Sequence, residues 1–145
     1  MDLLTSLKIS SSGLTANKKR MAAISSNIAN AQVTRTEQGG PYQPKDVVFG
    51  TEPAKESFSE ILENEISEMP QTVVAKEVVN NKKAPILKYE PNHPDANPQG
   101  YVAYPDINVM AEMANMIEAS RAYEANINAL NTSKSMALKD LEIGR

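Results

Sequence analysis

Apolar residues recur at seven-residue spacing at both ends of this chain of 145 residues, and the stretch between them is too broken by prolines and glycines for a long helix. Heptad spacing keeps one narrow apolar seam of a helix facing one partner. The pattern therefore predicts two long helices that function by packing against something else. The residues expected on these seams are Leu7, Leu14, Met21, Ile24 and Ile28 in the first helix, and Met113, Met116, Tyr123, Ile127, Leu130 and Leu141 in the last.

The seams divide the chain into three predicted segments. The first helix is expected over about residues 3–31, within an N-terminal segment of residues 1–35. The last helix is expected to open at Pro105 and Asp106 and to reach about Glu142, within a segment of residues 105–145. The predicted fold class is α+β, with the terminal helices packed as a coiled-coil-like pair and a small β-rich middle over residues 36–104.

The middle segment combines turn-forming residues with short apolar runs. An acidic amphipathic helix is expected near residues 52–69, where apolar residues fall at helical spacing among glutamates and Pro70 ends the pattern. The closely spaced prolines of residues 91–98 predict a loop. Extended segments are expected at residues 42–49, 72–79, 84–90 and 101–104, and the second and third of these are predicted to pair as a hairpin.

The first predicted helix is weak on its own. Gly13 costs roughly 1 kcal/mol relative to alanine in a helix interior, and several serine and threonine residues add smaller penalties. Ser10 and Asn17 place polar groups on the seam, which weakens packing but fixes register and partner. This helix is therefore expected to become ordered mainly when it meets its partners.

The net charge of −3 conceals an asymmetry along the chain. Residues 1–35 carry five basic residues and one acid, giving +4, whereas residues 36–104 carry six basic and eleven acidic residues, giving −5. Residues 105–145 carry four basic and six acidic residues, giving −2, so the two terminal helices suit each other as neighbours. The basic cluster Lys18, Lys19 and Arg20 lacks interleaved aromatic residues and is interpreted as a solvated helix face, not a nucleic-acid site.

Composition excludes several classes of site. The chain has no cysteine, which rules out disulfides, thiolate metal sites and cysteine nucleophiles. No apolar run approaches the roughly 18 residues that a membrane span requires, and residues 1–20 lack the apolar core of a signal peptide. The protein is therefore expected to stay out of the membrane, and either to remain in the cytosol or to leave it without a cleaved signal.

Candidate catalytic and metal-binding residues are few. His93 is the only histidine, and Asp95 alone does not complete a metal site with it, so a solvent-exposed loop histidine is favoured. Met110, Met113 and Met116 step by three along the last helix, which is more typical of the adaptable packing of a helix interface than of a copper site. No metal, cofactor or catalytic residue is predicted, and the chain is not expected to be an enzyme.

Motifs at the two ends resemble those of the flagellar rod and hook proteins. Residues 12–16 read Ser-Gly-Leu-Thr-Ala, residues 26–31 read Ser-Asn-Ile-Ala-Asn-Ala, and residues 120–126 read Ser-Arg-Ala-Tyr-Glu-Ala-Asn. The first two resemble the N-terminal motif of that family and the third its C-terminal motif. Further stretches resemble the short proximal-rod members of the family, namely residues 40–42, 45–49, 93–96, 100–102 and 134–145. Residues 50–70 do not resemble a fixed family pattern and receive no role.

The resemblance implies a structural subunit of the bacterial flagellar basal body. Such proteins are exported unfolded through the flagellar type III apparatus and assemble into a helical tube across the periplasmic space. The terminal helices are expected to line the tube, which transmits torque and conducts later export substrates. The implied partners are copies of this chain, other rod proteins, the adaptor protein at the MS ring and the export apparatus. The seam residues given above then become the expected interface between subunits.

Two other classes of protein remain open from the residues alone. A cytosolic coiled-coil adaptor or secretion chaperone would account for the terminal helices, but not for the motifs of the middle segment. An enzyme that degrades cell wall to clear a path for the rod would need a poised pair of carboxylates. Secretion of the protein separates the first alternative from a rod subunit, and activity on wall material tests the second.

Overall fold

The computed structural model of the chain describes residues 3–53, 71–79 and 84–143. The acidic helix expected near residues 52–69 lies almost entirely outside these described residues. The chain divides into two compact units, and each terminal helix contributes to both. The first unit comprises Met1–Lys18, Phe49–Lys76 and Ser120–Arg145, and the second comprises Lys19–Val48 and Glu77–Ala119.

Two long helices occupy the ends of the chain, as predicted. Helix α1 spans Leu3–Ala29 and contains 27 residues, and helix α2 spans Val109–Ile143 and contains 35 residues. The helices pack together, which confirms the α+β prediction of a terminal helix pair with small β-sheets in the middle. Helix α2 begins later than Pro105 and Asp106 suggested, and helix α1 ends slightly before residue 31.

Asparagines lie at the inner ends of both helices. Helix α1 ends where Asn30 donates from its backbone and side-chain nitrogens to the carbonyl oxygen of Ser26, at 3.1 and 2.8 Å. Helix α2 begins after Asn108, whose Oδ1 accepts hydrogen bonds from the amides of Met110 and Ala111 at 3.1 and 3.2 Å. An asparagine at this position satisfies amides that have no partner inside the helix, and this cap fixes the start of α2.

The helices are antiparallel within the second unit. A guanidinium nitrogen of Arg20 lies 3.5 Å from the carboxylate of Glu118. The side-chain amide nitrogen of Asn27 lies 3.4 Å from the carboxylate of Glu112. From the first contact to the second, the residue number rises along α1 and falls along α2, so the helices run in opposite directions. The core of this unit includes side chains that are at most 6% exposed, namely Ala23, Ile24, Asn27, Val102 and Ala119.

Within the first unit, Gly13 of α1 lies against Asn126 of α2. A Cβ atom built on Gly13 would come within 3.3 Å of Nδ2 and 3.4 Å of Oδ1 of Asn126. Ala16, on the following turn of α1, is 2% exposed. The glycine that weakens α1 in isolation is therefore also the residue that admits the Asn126 amide close to the α1 backbone.

Replacing Gly13 with alanine tests whether helix propensity or the close contact with Asn126 has the larger effect on stability. Alanine gains up to about 1 kcal/mol of helix propensity, but its methyl group crowds the Asn126 amide. We expect G13A to change the free energy of unfolding by less than about 0.5 kcal/mol in the natural background and to add about 1 kcal/mol in the N126A background. Urea unfolding of the four proteins gives this double-mutant cycle. Equal stabilisation in both backgrounds would contradict the close contact.

In the part of the chain that the structure describes, four strands form two sheets of two strands each. Strand β1 spans Lys45–Pro53, β2 spans Gln71–Val79, β3 spans Ile86–Tyr89 and β4 spans Tyr101–Tyr104. Strand β1 pairs with β2, and β3 pairs with β4.

The predicted hairpin between residues 72–79 and 84–90 is wrong. Strand β2 pairs with β1, and in the first unit the hydroxyl of Thr72 donates to the carbonyl oxygen of Glu52 at 3.0 Å. Alternating apolar residues identify a strand but not its partner, and the turn-forming residues 80–83 favoured the wrong neighbour. Glu52, which was expected near the start of the acidic helix, belongs to β1 instead.

Strands β3 and β4 form an antiparallel ribbon in the second unit. Ile86 lies opposite Tyr104 and Tyr89 lies opposite Tyr101, with the rings of the second pair 5.4 Å apart. Gly100, just before β4, has a φ of +83°, and a Cβ atom there would come within 2.7 Å of the Tyr89 ring. The backbone angle and the packing of Tyr89 therefore both require glycine at this end of the proline-rich loop.

Candidate assembly surface

Asn27 lies at the centre of the second unit, where only 2% of its surface is exposed. Its Oδ1 accepts a hydrogen bond from the amide of Lys45 at 2.8 Å, and its Nδ2 donates to the carbonyl oxygen of Lys45 at 2.9 Å. The side-chain amide thus pairs with the first residue of β1 as a neighbouring strand would. Nδ2 also lies 3.4 Å from Oε2 of Glu112. One asparagine therefore joins α1, α2 and β1.

Tyr42 and Ser26 extend this network along α1. The hydroxyl of Tyr42 donates to Oδ1 of Asn27 at 3.2 Å, and it lies 2.9 Å from the hydroxyl of Ser26. Because a phenol has one proton, Ser26 is the donor in the second bond. The polar residues of the motif at residues 26–31 thus hold the end of α1 against the segment that follows it.

A second contact ties the segment after α1 to the proline-rich loop. The hydroxyl of Thr34 donates to Oδ2 of Asp95 at 2.8 Å. The amide of Asp95 in turn donates to Nδ1 of His93 at 3.1 Å, and the His93 ring lies 6.4 Å from that of Tyr104. His93 is half-buried in this arrangement, not exposed as expected, and its contacts are those of a structural residue.

Ser12, in the first unit, joins α1 to the β1–β2 sheet. Its hydroxyl donates to the carbonyl oxygen of Ile9 at 2.8 Å and accepts a hydrogen bond from the amide of Val73 at 3.1 Å. The sequence identified Ser12 only as part of a motif. Its role required knowledge of the strand that packs beside the helix, which no local pattern supplies.

Polar residues of β3 and β4 form a cluster around Glu90. Its carboxylate pairs with the ammonium group of Lys88 and accepts a hydrogen bond from the hydroxyl of Tyr104 at 2.9 Å. The hydrogen bond from Lys88, followed by that from Tyr104, holds the pKa of Glu90 below its usual value. The same bonds raise the pKa of Lys88 and of Tyr104 above their usual values.

This cluster makes the stability of the fold depend on pH. A carboxyl group whose pKa is lowered by folding stabilises the protein above its unfolded pKa, and that contribution is lost as the pH falls through the folded pKa. We expect E90Q to be less stable than the natural protein at neutral pH and to lose less of its stability between about pH 5 and pH 2. The effect is small because the Lys88 side chain is 67% exposed.

Urea unfolding of both proteins across the acid range measures this difference. The matched control is E124Q, which neutralises an exposed glutamate on α2. Acid profiles of E90Q and the natural protein that run parallel would rule out this role for Glu90.

The residues predicted to line a subunit interface differ in exposure within the single chain. Ile24 is 6% exposed and belongs to the core between the helices, whereas Met113 and Leu141 are 50% and 72% exposed. The remaining predicted residues are half-buried, namely Leu7, Leu14, Met21, Ile28, Met116, Tyr123, Ile127 and Leu130. Their role between subunits stays a prediction.

Three exposed apolar side chains on α2 form a surface that we call the methionine stripe. Met110, Met113 and Ile117 are 75%, 50% and 57% exposed and follow the spacing i, i+3, i+7 of one helix face. Met110 lies about two and a half turns before the fully buried Ala119, so the stripe is on the side of α2 opposite the core. The seam prediction contained only Met113, because heptad spacing alone does not tell which side of a helix is already covered.

Neither a metal cluster nor a membrane span is found among the described residues. They contain no group of three or more histidine, cysteine, aspartate or glutamate side chains that could hold a metal ion. Neither described helix is both long and apolar enough to cross a membrane.

Comparison with known proteins identifies the family. The family model of the flagella basal body rod protein matches residues 7–35, and that of the flagellar basal body rod FlgEFG protein C-terminal region matches residues 99–142. The flagellar basal-body rod protein FlgC of Borreliella burgdorferi is 39% identical over 99% of this chain and 98% of its own length. The FlgC proteins of Bacillus subtilis and Salmonella typhimurium are each 38% identical over the full length of both chains. This chain belongs to the FlgC family.

Membership of the FlgC family confirms the resemblance seen in the sequence motifs. The chain is a structural subunit of the flagellar basal-body rod, and not an enzyme. The two family models cover most of α1 and nearly all of α2, together with β4. The regions that the two family models match are therefore the packed helix pair, residues 30–35 after α1 and residues 99–108 before α2.

Proposed function

We propose that this rod subunit occupies the proximal part of the rod and assembles through its terminal segments, residues 1–35 and 105–145, into a tubular shaft. The shaft transmits torque and conducts proteins exported later. The observation that carries the proposal is the full-length similarity to FlgC proteins, together with long helices that are packed as a pair and still expose apolar residues. The middle, residues 36–104, lies outside the tube in this proposal.

Export and partners follow from the same arrangement. The chain reaches the rod through the flagellar type III apparatus without a cleaved signal. Gly13, Ser10 and Asn17 keep α1 weak until it meets its neighbours, which lets the chain pass a narrow channel before it folds. Its neighbours are copies of itself, other rod proteins and the adaptor protein at the MS ring. An open helical array requires heterologous contacts of this kind.

Charging a helix seam tests the proposed assembly. Leu130 is half-buried on α2, so L130E places a carboxylate where the helices pack and leaves it without a compensating partner. We expect cells whose only copy carries L130E to lose swimming and to lack complete rods. The matched control is N131E, which places the same charge on the exposed neighbouring residue. Normal swimming of the L130E strain would rule out this seam.

Location tests the function itself. We expect the natural chain to be found in purified basal bodies and to be missing from them when type III export is blocked. A chain that accumulates in the cytosol of cells with normal flagella, and is absent from their basal bodies, would instead favour the adaptor or chaperone.

A further inference from the structure

The methionine stripe has a counterpart of matching length on α1. Ala22, Ser25 and Ala29 are exposed and also follow the spacing i, i+3, i+7. They lie on the side of α1 that faces away from the buried Asn27. We call them the small-residue stripe. A depression of about 260 Å³ opens beside Ala22, with Lys19, Ala23, Ser26 and Lys45 around it.

We propose that the methionine stripe of one subunit packs onto the small-residue stripe of an adjacent copy of this chain. The inference rests on the proposed function, and it adds which surfaces of the two helices meet. Within one chain the two stripes point away from each other, because each lies opposite the face through which its helix joins the core. A contact between them therefore joins two molecules.

Shape favours this pairing. Long side chains at i, i+3 and i+7 act as knobs, and a facing helix with alanine and serine at the same spacing lets them approach its backbone. Methionine adapts to irregular gaps, and the depression beside Ala22 is such a gap. Two methionine stripes facing each other would instead hold their helices apart and leave the small-residue stripes open.

Charge favours the same pairing. Lys19 is exposed beside the depression next to Ala22. Glu118, which follows Ile117 in α2, stays 70% exposed although it pairs with Arg20 of its own chain. A contact between α1 of one copy and α2 of the next brings opposite charges together, and a contact between two α2 helices would bring like charges together. A contact between different surfaces continues from copy to copy, as an open array requires.

The size of the contact agrees with assembly at the rod tip. Three side chains cover far less than the roughly 1,200 Å² that stable interfaces bury. The free chain is therefore expected to stay monomeric, and the contact forms where several neighbours act together. This matches a subunit that must travel singly before it is built in.

Cysteine cross-linking tests the pairing directly, because the chain has no cysteine of its own. Ser25 and Met113 are the middle residues of the two stripes. In the proposed contact they lie near each other whether the two helices run parallel or antiparallel. Within one chain, an interaxial distance of about 8–10 Å plus a Cα radius of about 2.3 Å on each side keeps them beyond the reach of a disulfide. Any S25C–M113C disulfide therefore joins two subunits.

The experiment uses cells that produce S25C and M113C together, with swimming checked for each single variant. After mild oxidation of purified basal bodies, we expect the two variants together to form a product of twice the chain mass that cells with S25C alone or M113C alone do not form. Cells that carry both changes in one chain are expected to give a ladder of longer products. The matched control replaces M113C with A111C, an exposed residue of α2 outside the stripe, and should give no such product.

Two outcomes would overturn the inference while leaving the proposed function intact. One is a rod that contains both variants and forms no S25C–M113C product. The other is an M113C–M113C product, which would mean that two α2 helices face each other. If M113C fails to enter rods, the test is repeated with M110C paired with A22C or with A29C. The absence of a cross-linked product from both of these pairs would overturn the inference equally. Absence of the natural chain from basal bodies would refute the proposed function itself.

Discussion

Replacing Asn27 with alanine is expected to lower the free energy of unfolding by about 2–4 kcal/mol. The change removes both hydrogen bonds to the backbone of Lys45 and the acceptor of the Tyr42 hydroxyl. A buried donor or acceptor that is left without a partner costs about 1–3 kcal/mol. Alanine has a better helix propensity than asparagine, and that gain of less than about 1 kcal/mol does not offset the loss.

Urea unfolding of the purified chain measures the effect. The matched control is N131A, the same change at an exposed position of α2, which should alter the free energy of unfolding by less than about 0.5 kcal/mol. Aspartate at position 27 is expected to be at least as harmful as alanine, because it faces the carboxylate of Glu112 and the carbonyl oxygen of Lys45. If N27A and N131A proved equally stable, Asn27 would not be the centre of this unit.

The long helices could be predicted because their signal is local and repeated. Seven-residue spacing over many turns located α1 and α2, and only the caps shifted their inner ends. Asn108 follows a proline and an aspartate that also suit a helix start, so the sequence alone does not choose among them. The strands were located on the same grounds, but their pairing depends on contacts far apart in the chain, which is why the hairpin was misassigned.

The candidate surface could be predicted only in part. Heptad spacing identified residues that are apolar and periodic, but it did not show which of them are buried within the subunit itself. Ile24 is buried within the subunit, whereas Met110 and Ile117 were outside the predicted seam and are exposed. Asn27 belonged to a recognised motif, yet its pairing with Lys45 depends on a strand that begins 18 residues later and must fold back onto the helix. A polar residue at the centre of a core carries no signal that separates it from a polar residue on the surface.

Replacing Ala119 with leucine is expected to cost about 2–3 kcal/mol of folding free energy and to abolish swimming. Ala119 is fully buried on the side of α2 that carries Glu112, where the helix meets α1 in the second unit. Leucine adds three carbon atoms at a position without free space, so the helices must separate or the side chain must leave its preferred rotamer. Separation would also lengthen the Asn27 and Glu118 contacts to the partner helix.

The cost of A119L is a packing effect, so the same change on an exposed face should be harmless. A111L places leucine on α2 away from the core, and because leucine is a good helix former we expect a change within about 0.5 kcal/mol and normal swimming. Ala119→Gly should cost about 1 kcal/mol through helix propensity and more through the lost buried methyl group, whereas leucine is a good helix former, so the cost of A119L comes from its size. A stable A119L protein that still assembles would mean that α1 and α2 are not held close by their small residues. In a rod subunit that close approach sets the width of the helix pair, and hence the spacing of the exposed stripes through which we propose that neighbouring copies meet.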